Sequence, residues 1–436
     1  MSNTLKYIIL IVFIIIAVAF VLMWAGVIPG LRLNKAKIQR ADITMWGVDD
    51  DKDTNQKLIN AYQANNPGVK ITYQQKSKET YEDELIRAFA AGKGPDIFGI
   101  HHTWRPKYSD ILSPAPKDVL PILDFRNNFL EVVQRDFISN NQIYGVPLYV
   151  DTLALYYNTE LFHSAGAVLP PKDWDEFVEM ARRLTKRKSN GDILMSGAAL
   201  GAAGNIANAT DILALLFAQN GVGLSDEKGV VNFSAVSNAS SKGTQSAEKA
   251  LEFYASFAKP QSGNYSWSKD SALNSEEAFA QNRATMALGY SVMSRRLLSK
   301  NARAKFDIAP LPQVKNAVFH KNYPDYWGFG VYKNSKNKDA SWQFLEFLAQ
   351  PDISRYYLNT TKKPAAQKSL VVEQQSDPRL GVFATQGLTA FFWTQLDESV
   401  IKQVFREMIE TQLTSDQPSS LAIKSAEAKI KSLMKK

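Results

Sequence analysis

From Ala41 to Ile100 the apolar residues switch back and forth between two spacings, and that alternation leaves the chain few folds to choose from. Ala41-Asp42-Ile43-Thr44-Met45-Trp46-Gly47 alternates with the period of a strand and ends at a glycine. Residues 54–65 then place Leu58, Ile59 and Tyr62 on one helical face, and Asn66-Pro67-Gly68 ends that helix. Val69-Lys70-Ile71-Thr72-Tyr73 reads as a second strand. Thr80 and Asp83 have the spacing of a capping box, and Leu85, Ile86, Phe89 and Ala90 form the inward stripe of the helix that follows. Gly92 stops it, and Pro95 to Ile100 is a third strand. Strand–helix–strand–helix–strand predicts a parallel α/β sheet, because parallel neighbours need a crossover and a helix supplies it.

The pattern continues at Tyr144–Tyr149 and Leu153–Tyr157, then in a helix from Asp173 that turns Trp174, Phe177, Val178, Ala181 and Leu184 inward. Thr285–Leu288 and Phe306–Ala309 read as strands, and helices near 339–349 and 395–414 close the chain. A chain of 436 residues exceeds the usual size of one hydrophobic core. Two doubly wound lobes are therefore expected, with no internal repeat.

The N-terminus obeys different rules. Residues 7–28 carry no charged side chain and are almost wholly apolar, long enough as a helix to cross the roughly 30 Å hydrocarbon layer. Ala17-Val18-Ala19 has the small residues of a cleavage site but sits inside the run, so an uncleaved transmembrane anchor is expected, with Trp24 near an interface and Pro29-Gly30 at the exit. Lys6 precedes the run and Arg32, Lys35, Lys37 and Arg40 follow it; charge does not fix the orientation, since long domains translocate largely regardless of it.

The absence of cysteine removes disulfides, thiolate metal sites, cysteine nucleophiles and a lipid-modified cysteine. The net charge of +8 comes without an arginine-rich helix or RNA-binding aromatic motif, so nucleic acid is not an expected partner. No P-loop, Gly-x-Ser-x-Gly elbow or His-Glu-x-x-His occurs. Ser266-Trp-Ser-Lys269 and Ser335-Lys-Asn-Lys338 fit Ser-x-x-Lys without its partner motifs, so no catalytic residue is assigned. Asp49-Asp50-Asp51-Lys52-Asp53 opens like a calcium loop, but Thr54 stands where glycine is required and Asn60 where glutamate is; helix-terminal acidic charge is the expected role. His101 and His102, adjacent on an extended segment, should point to opposite sides and not share an ion. Neither metal nor cofactor is expected.

Six segments in order resemble the family-1 extracellular solute-binding proteins, the maltose-binding-like group. They are Leu58-Ile-Asn-Ala-Tyr-Gln-Ala-Asn-Asn-Pro-Gly-Val69, Phe89-Ala-Ala-Gly-Lys-Gly-Pro-Asp-Ile97, the crossover Tyr144 to Asn158, Phe279 to Tyr290, Asp307-Ile-Ala-Pro-Leu-Pro312, and Ala340 to Leu348 with Pro364-Ala365. The resemblance covers nearly everything from residue 41. It implies an α/β, two-lobed type II periplasmic-binding fold, with a small ligand between the lobes and handover to the permease subunits of an ABC importer. The expected organisation is an anchor over 1–30, a linker over 31–40, lobe 1 from 41–150 plus 312–357, and lobe 2 from 151–311 plus 358–436. The globular part would stand on the extracytoplasmic face of the cell membrane, as a monomer.

Ligands of open α/β sheets bind outside the carboxyl ends of strands. The candidates so placed are Trp46, His102, Tyr149, Asp151, Asn205, Asp211, Tyr290, Trp327 and Trp393, with His101 and Trp104 beside His102 at the end of the third strand. By resemblance, Asp151 falls where the family places a ligand-contacting carboxylate, and Tyr290 and Trp393 near its stacking aromatics. Aromatic faces suit the C–H faces of sugars, and carboxylates and amides fix hydroxyls, so a carbohydrate is the favoured ligand. A membrane-tethered carbohydrate-active enzyme and a sensory or adhesion subunit without transport are the alternatives.

Overall fold

The computed structural model describes residues 40–48, 51–223, 225, 231–234, 247–391 and 397–434. The apolar run 7–28 and Trp393 lie outside these residues. Among the described residues no helix is long and apolar enough to cross a membrane.

The strands β1 (Ala41–Val48) and β2 (Val69–Lys76) pair in parallel along their whole length, and β1 also pairs in parallel with β3 (Ile97–His101) at Met45 and Trp46. The crossovers are α1 (Lys52–Asn65) and α2 (Tyr81–Ala90). The Asp51 side chain caps α1 by accepting from the Thr54 amide at 2.6 Å, the helix-terminal role expected for that acidic run. Leu58, Ile59 and Tyr62 are buried as the spacing predicts. Two details of α2 differ from expectation. Thr80 has helical backbone angles, so its hydroxyl makes no cap and donates instead to Glu84 Oε1 at 2.6 Å. Ile86 is 48% exposed, because Tyr81 and Leu85 at i and i+4 already define the buried stripe.

The last strand of this sheet comes from far along the chain. β4 (Leu112–Ser113) and β5 (Val146–Pro147) flank β13 (Trp327–Tyr332), which also lies antiparallel to β3, so the order is β2-β1-β3-β13-β4. A second sheet holds β7 (Ala154–Asn158) between β10 (Met286–Gly289) and β11 (Phe306–Ala309), both antiparallel to it. This differs from a doubly wound parallel lobe: apolar period marks a strand but not its direction.

Each sheet has its own core. Leu58, Phe98, Val133, Tyr326, Trp342 and Val371 belong to one, and Tyr156, Phe177, Leu213, Tyr254, Met286 and Phe405 to the other. These are the two lobes. Leu358, Ala365, Ala366 and Leu370 pack in the first core, so packing carries lobe 1 beyond the boundary at 357 drawn from the sequence. The helices α8 (Glu398–Thr414) and α9 (Ser419–Leu433) pack in the second core through Ile401, Val404, Met408, Ile423 and Ile430. Between the lobes, β6 (Asp151–Thr152) and β12 (Pro324–Asp325) form an antiparallel two-stranded ribbon, with Asp151 opposite Asp325.

Candidate functional site

Six ionisable side chains from both lobes meet in the cleft beside that ribbon. His101 is the last residue of β3, and Lys78 follows β2. Asp325 ends β12, and Glu398 opens α8 with Lys402 one turn on. Asp211 lies in the first turn of α4 (Ala209–Gln219), a helix buried on all sides. Asn208, at φ 59°, turns the chain into that helix. The His101 ring reaches Asp325 Oδ1 at 2.6 Å through Nε2 and Glu398 Oε2 at 2.8 Å through Nδ1. Lys402 Nζ sits 2.6 Å from Glu398 Oε1 and 3.4 Å from Asp211 Oδ1, and Lys78 Nζ 3.6 Å from Asp325 Oδ2. Thr103 donates to Glu398 at 2.9 Å, and Tyr290 donates to Asp211 at 3.0 Å. His101 and Thr103 belong to lobe 1 and Glu398 to lobe 2, so the network spans the cleft.

Burial works against charge on each group, at several kcal/mol per ion, and a pair a few ångströms apart recovers about 4 kcal/mol at the effective dielectric of such sites. Pairing wins at most positions. Burial alone would depress the His101 imidazolium, but Glu398 and Asp325 lift it to about 9. Burial opposes Asp325, yet Lys78 and His101 hold its carboxyl well below the usual range; His101 and Lys402 do the same for Glu398. Burial also opposes Lys402, and Asp211 and Glu398 raise it well above the ordinary lysine value. Asp211 is the exception, raised by burial that Lys402 does not fully offset. In the ribbon, burial pushes Asp151 up to about 7 although it accepts from the Ser291 amide and hydroxyl and from the Thr152 amide.

The structure distributes the candidate residues unevenly. Asp211 and Tyr290 are in the network, and Asp151 stands beside it in the ribbon, holding the N-terminus of α5 (Ser291–Lys300). Trp327 packs against His101 and Trp104 at 5.1 and 5.0 Å between ring centroids and forms the aromatic wall behind the histidine. Tyr149 lies near the ribbon with Lys363 Nζ 4.0 Å from its ring. Trp46 sits on β1 under Lys76 Nζ at 3.9 Å, and its buried indole N–H has no hydrogen-bond partner among the described residues. His102 turns into lobe 1, bonded to Asp136 at 3.0 Å and stacked on Tyr326. Asn205 spends its amide on the carbonyls of Ser268, Lys269 and Ser271 and accepts from Trp267, which fixes a loop away from the network.

Lys78, Asp325, Glu398 and Lys402 were absent from the sequence candidates, whereas His101 was among the strand-end positions considered. Lys78 and His101 follow or end strands, the signal that picked out their neighbours; nothing local marks Asp325, Glu398 or Lys402. The expectation that His101 and His102 diverge is corrected. β3 ends at His101 and the next residue is in a turn, so strand alternation stops and the rings come within 4.5 Å. Ligating atoms of His101, His102 and Asp325 lie within 4.8 Å of one another, a spacing that admits a cation; both ring nitrogens of His101 already face carboxylates, and Lys78 and Lys402 neutralise the same groups.

A family model described as bacterial extracellular solute-binding protein matches residues 49–354. A putative binding protein of Brucella abortus (strain 2308) is 24% identical over 298 residues, covering 68% of this chain and 68% of that protein. A probable amino-acid ABC transporter periplasmic-binding protein of Sinorhizobium fredii (strain NBRC 101917 / NGR234) is 24% identical over 302 residues, 66% of this chain and 64% of its own length. Among solved structures, the sugar-binding protein MalE from the phytopathogen Xanthomonas citri superposes with a TM-score of 0.74 over 90% of this chain and 97% of that one. At 21% identity this is a likeness of fold.

Proposed function

The chain belongs to the bacterial extracellular solute-binding proteins, and from that premise we propose that it captures a small carbohydrate between its lobes for the permease of an ABC importer. The observation that carries this reading is the cross-lobe network of Lys78, His101, Asp211, Asp325, Glu398 and Lys402, flanked by Tyr290 and Trp327. Carboxylates accept from hydroxyls, ammonium groups donate to them, and the aromatic rings offer faces to C–H groups. A hydroxyl-rich ligand entering here exchanges ion pairs between the lobes for bonds to itself. It therefore favours closure only as far as it binds the closed form better than the open one. Trp46, Tyr149, Asp151 and Trp393 join this reading as candidate contacts, while His102 and Asn205 have the weaker claim because their polar atoms are engaged elsewhere.

The Xanthomonas citri protein is a sugar-binding protein, which supports the same ligand class. Amino acids are the second reading. Ammonium and carboxylate groups face each other in the network, as a zwitterion requires, and the Sinorhizobium fredii relative is a probable amino-acid-binding protein of an ABC transporter. The reading is of binding without chemistry, with residues 7–28 holding the protein at the extracytoplasmic face of the membrane.

A thermal-shift screen against mono- and oligosaccharides, amino acids and polyamines tests it. A ligand confined to the folded state and present at about 100 times its dissociation constant adds about 2.7 kcal/mol of stability. A saccharide that raises the melting temperature supports the proposal. A shift confined to amino acids sinks the sugar in favour of the second reading.

A further inference from the structure

Away from the interlobe network, lobe 2 carries a cavity of about 280 Å³ that the solute-binding reading does not use. It opens beside the hairpin of β8 (Lys186–Arg187) and β9 (Ile193–Met195), which follows α3 (Trp174–Leu184). Lys188 and Arg283 line it together with Ser196, Trp267, Leu194 and Leu273. Asn205 shapes one wall, because its amide holds the carbonyls of residues 268, 269 and 271 and accepts the Trp267 indole N–H. The sequence reading picked Asn205 as a ligand residue of the cleft; the structure makes it the post of a different pocket.

Two independent observations point to a ligand. The Ser196 hydroxyl is buried, in a residue only 2% exposed, and has no hydrogen-bond partner among the described residues. Ser196 lines the cavity, and an unsatisfied buried hydroxyl is costly to leave unpaired, so a polar guest that reaches it restores the missing bond. At the rim, the exposed Arg283 guanidinium forms no hydrogen bond or ion pair with any described residue, although its carbonyl accepts the Ser196 amide at 2.9 Å. Lys188 has a single long pair there, 3.7 Å to the exposed Asp192. Two under-neutralised cations and an unpaired hydroxyl lining one cavity suit an anion with several acceptor oxygens, and a planar guanidinium suits a phosphate best. Leu194, Leu273 and the Trp267 ring leave the remaining wall apolar, which fits an anion carried on a carbon body.

We propose that this cavity is a second ligand site, for the phosphate of an organic phosphoester. The same chemistry is offered by a free metabolite and by a phospholipid headgroup, and the test separates them. Full-length protein is titrated calorimetrically with glycerol phosphate, then assayed for the excess of its binding to vesicles of phosphatidylglycerol in phosphatidylcholine over vesicles of phosphatidylcholine alone, which cancels any insertion of residues 7–28, as wild type, Arg283→Gln and the Lys188→Gln/Arg283→Gln pair. Saturable glycerol phosphate binding, weakened about tenfold or more in the double variant, supports the site with a free ligand. Binding only to the anionic vesicles, with the same loss, supports it with a lipid headgroup. Either result should leave the melting temperature and cleft-ligand affinity of the variants unchanged, since neither residue touches the network. The proposal is overturned if the wild type binds neither probe, or if the double variant binds as the wild type does.

Discussion

His101 is the residue on which the cleft's electrostatics turn. Both ring nitrogens face carboxylates, Asp325 and Glu398, and the imidazole is held protonated up to about 9 against an ordinary value of 6.5. A raised pKa contributes stability that is fully present below the unfolded value and is lost as pH rises through the folded one. The window for His101 is therefore pH 6.5 to about 9, worth on the order of 3 kcal/mol by linkage. Asp151 does not confuse it, because that carboxyl, raised to about 7 by burial, imposes its cost between pH 3.8 and 7. Melting temperature measured from pH 7.5 to 9.5 should fall steadily in the wild type and stay nearly level in His101→Gln. Equal slopes in the two proteins would mean that His101 does not carry this pH dependence. The sequence showed this histidine at a strand's end but not its charge, because Asp325 and Glu398 lie over 200 positions away, and only folding brings three carboxylates around two lysines and a histidine.

At the scale of elements, α8 carries the lobe 2 side of the clamp. Its N-cap Asp397 accepts from the Ser399 and Val400 amides at 3.0 and 3.2 Å, and its second oxygen lies 2.7 Å from Lys107 Nζ of lobe 1. One side chain thus starts the helix and ties it across the cleft, and two substitutions separate the roles. Asp397→Asn keeps a good cap and loses the ion pair, so stability should hold while ligand affinity changes; Asp397→Ala should cost about 1 kcal/mol in chemical denaturation as well. Equal stability losses in both variants would deny the cap its separate role. Local patterns announced the strand–helix alternation of residues 41–101 and the inward face of α1, since one buried face imposes a period on the sequence. They did not announce that β7, β10 and β11 run antiparallel, nor that Thr80 would fail as a cap, because direction and capping geometry depend on what lies across the sheet.

For the whole molecule, two cores meet at a narrow ribbon, and the chain passes between lobes more than once: residues of the first core reappear at 326–371 after the second has been built. A movement of one lobe against the other at that ribbon would open neither core. On the proposed function, closure would be decided by the cleft network and by the ligand that replaces it. On that reading a sugar binds by engaging those groups. The measurement that tests it most directly is a calorimetric titration of the saccharide giving the largest thermal shift, into wild type, Asp211→Asn and Glu398→Gln. The wild type should bind saturably and both variants at least about tenfold more weakly, the loss expected when a charged hydrogen-bond acceptor is removed. Undiminished affinity in both, or no saccharide binding at all, would contradict it.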